Sequence, residues 1–130
     1  MKKLFLSFFL LCSIIAISQD FDSKIKPTIN ELREFIAIPN DALNSQDILK
    51  NIDWLIQKFK ARGFKTTVIQ TEGQPLFFAE LPKIPNVKTI LFYMHLDGQS
   101  VEPKKWNQDN PYHAVLKTKE GNLWKTIDWA

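Results

Sequence analysis

The hydrophobic pattern changes its period near the middle of the chain, and this change limits the fold more than any other feature. Up to Gly63 the apolar residues recur at three- and four-residue spacing, first Ile25, Ile29, Leu32, Phe35 and Ile36, then Ile48, Ile52, Leu55, Ile56 and Phe59. Such spacing lines one face of a helix. Pro27 is tolerated in a first turn, Pro39 closes the first run, and Gly63 is a natural stop for the second. Two amphipathic helices are therefore predicted, over 25–38 and from Ile48 to Gly63, with a polar loop around Asn40 to Ser45 between them.

After Gly63 the residues from Phe64 to Thr71 alternate and are rich in Thr, Val and Ile, while Leu76 to Leu81 and Val87 to Met94 are apolar runs. Three strands fit these segments. The short connection from Pro82 to Asn86 makes the second and third close neighbours or a hairpin. Ile90 to Met94 is apolar on both faces, the pattern of a central strand covered by helices on both sides. Tyr112 to Lys117 is a further candidate strand, with a turn at Glu120-Gly121-Asn122. The expected class is α/β, with helices packed on a mixed central sheet.

Lys2 and Lys3 precede an uncharged apolar run from Leu4 to Ile17, and Ala16 and Ser18 form a small-residue exit. This is the order of a secretory signal peptide over residues 1–18. The run falls short of the roughly 20 apolar residues that a spanning helix needs. Cys12 follows Leu11, where a lipoprotein signal wants a small residue. An exported, periplasmic or secreted chain without a stable membrane anchor is expected.

Removing residues 1–18 takes away two lysines and no acids, so the net charge of +3 falls to +1. A nearly neutral remainder does not suit nucleic acid as a partner. Cys12, the one cysteine, leaves with the signal. Neither a disulfide framework nor a thiolate zinc site is then available, and any metal must be held by His, Asp or Glu.

Ligands in open α/β sheets gather at the carboxyl ends of strands, and His95-Leu96-Asp97 directly follows the most apolar run. In extended geometry residues two apart project to the same side, so His95 and Asp97 can meet. A carboxylate beside an imidazole fixes its tautomer and raises its basicity, and both effects favour metal ligation. The bland alternative is a histidine that is simply a satisfied polar group at a strand end.

From Thr89 to Tyr112 the chain reads TILFYMHLDGQSVEPKKWNQDNPY. This stretch resembles the zinc metallopeptidase family that includes glutamate carboxypeptidase, carnosine dipeptidase, acetylornithine deacetylase and succinyl-diaminopimelate desuccinylase. The matching features are an apolar strand, His95 and Asp97, a polar loop, Trp106, and Pro111 followed by Tyr112. Upstream, ELREFIAIPN and LIQKFKARGFKTTVI are similar to the family's first helix with its Ile-Pro turn and to its second helix running into the first strand. Met94, Gly98 and Ser100 depart from the usual Gly, Val or Pro, which should alter loop shape more than ligand chemistry.

The resemblance implies that His95 binds one of two zinc ions and that Asp97 orients the ring and acts in catalysis. It also implies amide hydrolysis of a small peptide or N-acyl amino acid by a metal-activated water, and homodimerisation of the complete protein. The family's bridging Asp, its general-base Glu and its other ligands have no counterpart here. Asp128 is followed by Trp129 and Ala130 rather than Lys-Gly, so it is not assigned to the metal. Residues 19–130 are therefore expected to be the amino-terminal part of a catalytic domain, inactive alone. A related zinc aminopeptidase that ends a central strand in His-x-Asp, or a non-catalytic exported binding or remnant domain of the same fold, are the alternatives.

His113 reads as a surface or supporting group. Trp54, Phe59, Phe77, Phe78, Phe92 and Tyr93 fall at core positions of helices and strands, where packing accounts for them. Lys58, Lys60, Arg62 and Lys65 flank a helix end, where cations complement the macrodipole.

Overall fold

Two helices form where the three-and-four spacing places them. In the computed structural model, which describes residues 21–128, α1 spans Asp22–Ile36 and α2 spans Ser45–Ala61. The predicted signal peptide lies outside the described residues. Asn44 caps α2: its side-chain oxygen accepts from the Gln46 N–H at 3.1 Å, satisfying a donor that has no partner within the helix. At the other end Gly63, with φ of 83°, takes the left-handed conformation that ends the helix without a Cβ penalty.

The chain divides into two units, residues 1–31 and 32–130. The described part of the first is helical from Asp22 to Glu31.

Beyond Gly63 come β1 (Lys65–Ile69) and β2 (Leu76–Glu80), an antiparallel hairpin in register from Lys65 opposite Glu80 to Ile69 opposite Leu76. Helix α2 lies against this hairpin through Phe59, whose ring meets Phe64 at 5.0 Å and Phe77 at 5.2 Å, both edge-on. Ile48 and Ile52 are the buried apolar side chains of α2, at 2% and 1% exposure. Each contributes roughly 1.5–3 kcal/mol by leaving water. On a neighbouring face Trp54 stacks at 4.8 Å on Phe35, and the Lys58 ammonium lies 5.0 Å from the Trp54 ring while bonding Glu34 at 2.7 Å.

A second hairpin closes the described chain: β3 (Leu116–Glu120) pairs antiparallel with β4 (Leu123–Ile127) across a two-residue turn. Gly121 supplies the positive φ of 61° that the first turn position needs. The turn at 120–122 agrees with expectation, but of the strand predicted from Tyr112 to Lys117 only Leu116 and Lys117 are in β3, and residues 112–115 are loop.

The secondary structure is thus mixed helix and antiparallel sheet, an α/β chain in the broad sense. Two expectations are corrected. Each sheet has two strands only, so the described residues contain no mixed central sheet. Val87 to Met94 forms no strand, and Ile90, Leu91, Phe92, Tyr93 and Met94 are 76–79% exposed. The reason is physical: a strand exists only through its neighbours' ladder bonds, and among the described residues none reaches residues 87–94. The proposed pairing of the second and third strands is replaced by that of the first and second.

Candidate functional site

The His95-Leu96-Asp97 turn follows this uncovered run. His95 Nδ1 and Asp97 Oδ1 lie 3.4 Å apart, so the two side chains do meet, at the long end of hydrogen-bond range. Both face solvent, His95 at 77% and Asp97 at 47% side-chain exposure. An ionised carboxylate only accepts, so the contact selects the tautomer with hydrogen on Nδ1. Nε2 then carries the free lone pair, and it has no hydrogen-bond partner among the described residues. The Tyr93 ring stands 5.8 Å from the imidazole, inclined at 65°.

Among the described residues no backbone hydrogen bond holds residues 87–95, yet the turn behind them is fastened at several points to the loop from Pro39 to Asn44. The Gly98 N–H donates to the Asn40 carbonyl at 2.8 Å, and the Ala42 N–H donates to the Gly98 carbonyl at 3.2 Å. Together they make an isolated parallel bridge between Asp41 and Gly98. The Asn40 side-chain amide donates to the Leu96 carbonyl at 3.2 Å. The Ser100 hydroxyl donates to the Asp41 carboxylate, which also accepts from the Leu43 N–H at 2.9 Å. These bonds hold the Asp41 carboxyl below its ordinary value of 3.8, the Ser100 hydroxyl contributing most and a small desolvation opposing it.

The loop is itself anchored on both sides. Buried Asn51 of α2 donates through one amide nitrogen to the Pro39 carbonyl at 2.7 Å and to the Asp47 carbonyl at 2.9 Å. Gln74, between β1 and β2, donates to the Ala42 carbonyl at 2.8 Å.

The sequence features thought to accompany the turn are organised separately. Gln108 donates from its amide to the Asn110 and His113 carbonyls, and Asn110 accepts from the Tyr112 N–H, which shapes the segment from Trp106 to His113. Among the described residues no hydrogen bond, ion pair or ring contact joins Trp106, Tyr112, His113 or Asp128 to His95 or Asp97. Sequence reading missed Asn40, Asp41 and Asn51 altogether. It noticed Gly98 and Ser100 only as departures from the family pattern, and those two residues, with the Leu96 carbonyl, make the contacts to the loop.

As a test of fit for zinc, the donor chemistry of one imidazole with a carboxylate on its far nitrogen suits a first ligand. The number of donors does not suffice: among the described residues no three His, Cys, Asp or Glu side chains come together. No protein-family model, curated protein or solved structure matches the chain. No helix among the described residues is long and apolar enough to cross a membrane.

Proposed function

We propose that this chain contributes the first metal-ligand turn of an exported zinc-dependent exopeptidase or N-acyl amino acid amidohydrolase of the family that the sequence resembles. The observation that carries the reading is the exposed His95–Asp97 pair, with its carboxylate on Nδ1 and its Nε2 without a hydrogen-bond partner among the described residues. His95 is the ligand. Asp97 sets the tautomer and orientation of the ring and adds negative charge that raises its basicity. Zinc in such a site lowers the pKa of a bound water and polarises the scissile carbonyl, given two or three further protein ligands. Small peptides and N-acyl amino acids are the proposed substrates. The central-sheet architecture of such enzymes belongs to the same proposal.

The test uses protein expressed from the whole reading frame that encodes these residues. Zinc content is measured beside turnover of dipeptides and N-acyl amino acids. His95→Ala should lower zinc content because a ligand is lost. Asp97→Asn should leave much of the metal bound and cut turnover about 10- to 100-fold, since the amide still holds the ring but carries no charge. Full zinc occupancy and undiminished turnover in His95→Ala would sink the reading.

A further inference from the structure

The run that leads into the His95 turn makes no backbone hydrogen bond among the described residues, whereas the turn is held from behind by a loop more than fifty residues away in sequence. We propose that Asn40, with the loop from Pro39 to Asn44, is a positioning clamp that sets the geometry of the His95–Asp97 pair independently of any strand formed by residues 87–94. Its role in metal binding rests on the reading above; the clamp itself does not.

Three observations carry it. First, Asn40 grips the turn on both sides of Asp97, its side chain on the Leu96 carbonyl and its main-chain carbonyl on the Gly98 N–H. Asp97 therefore has the peptide groups on either side of it tied to one residue. Second, the loop is braced, by buried Asn51 at Pro39 and by Gln74 at Ala42, so its position derives from α2 and the first hairpin. Third, the approach leaves no spare room. A Cβ added to Gly98 would lie 2.9 Å from both Asn40 Oδ1 and Nδ2, below any normal carbon contact. Gly98 does not have a left-handed φ, since Gly63 and Gly121 are the glycines that do. The three atoms nearest to an alanine methyl at this position all belong to the Asn40 side chain, which must swing away from Leu96 to admit it.

The chemistry makes Asn40 specific. Aspartate has the same shape but cannot donate to the Leu96 carbonyl, so Asn40→Asp sets two acceptors against each other.

A double-substitution cycle on the full chain tests the clamp, read by hydrogen exchange of the Asp97, Gly98 and Ala42 amides and by zinc titration followed at the His95 ring. Asn40→Ala and Asn40→Asp should each speed Gly98 exchange about five- to tenfold, the worth of one hydrogen bond. Gly98→Ala should do the same in the native background and little more when combined with Asn40→Ala, because the obstacle is gone. Zinc affinity at His95 should fall about tenfold in Asn40→Ala, with the urea midpoint nearly unchanged. Strictly additive effects on exchange, or unchanged exchange in Asn40→Asp, overturn the clamp. If the native chain binds no zinc while the cycle is non-additive, the clamp stands and the hydrolase reading falls. If it binds zinc and the cycle is additive, the reverse holds.

Discussion

Replacing Asn51 by alanine should destabilise the second unit by about 2–3 kcal/mol, although the residue touches no candidate ligand. Asn51 is 1% exposed and its amide nitrogen serves two carbonyls. The Asp47 carbonyl lies four residues earlier in α2 and keeps its helical partner when the side chain is cut back. The Pro39 carbonyl has no other partner among the described residues, so it is stranded. Losing the bond costs about 1 kcal/mol, and leaving a half-buried carbonyl unsatisfied adds up to roughly 1–2 kcal/mol more. With a urea dependence of about 1–3 kcal/mol per molar, the midpoint should fall by roughly 0.7–3 M. Asn51→Asp should be worse still, because an acceptor then faces two carbonyls in a buried place. Asp53→Ala, on the exposed face of the same helix, serves as control and should stay within about 0.5 kcal/mol. Urea unfolding followed by circular dichroism and tryptophan fluorescence measures all three. A loss below about 0.5 kcal/mol in Asn51→Ala, or equal midpoints for Asn51→Asp and the control, would refute the account of how the loop is anchored.

Ser100→Ala should raise the Asp41 carboxyl midpoint toward 3.8, because the hydroxyl is the main cause of its depression; carbon-detected NMR titration reads this, and an unmoved midpoint contradicts it. For a carboxyl lowered in the folded state, the associated stability is present above the unfolded value and lost as pH falls through the folded one, so the loop should loosen only below about pH 4. Leu91→Thr and Ile90→Ser should each change stability by less than about 0.5 kcal/mol, since both side chains are already more than three-quarters exposed; a loss above 1 kcal/mol in denaturant unfolding would mean that the run is covered. Residues 1–25 fused to a reporter active only outside the cytoplasm should direct its export, and a reporter retained inside would count against the signal peptide.

Much of the local structure was legible because its causes are local. The spacing of Ile48, Ile52, Leu55, Ile56 and Phe59 marks α2, and Gly63 marks its end, since a left-handed residue is a property of one position and its neighbours. Thr-rich alternation finds β1, and Glu120-Gly121-Asn122 finds the turn between β3 and β4. The meeting of His95 with Asp97 was also readable, since residues two apart in sequence need no third element to bring them together.

Partners far apart in sequence were not readable. The Ile90–Met94 run has the composition of a buried strand, but burial requires other strands and helices to arrive, and tertiary structure pairs β1 with β2 and leaves this run bare. A polar loop such as Pro39-Asn40-Asp41 looks like any solvated connection until its bonds to Leu96, Gly98 and Ser100 are seen. From sequence alone came the two helices, the first two strands and a carboxylate beside an imidazole, all set by periodicity and short-range geometry. Tertiary structure alone decided which edges pair, what stays exposed and which loop holds the turn, because hydrogen bonds spanning more than fifty residues leave no periodic trace in the chain.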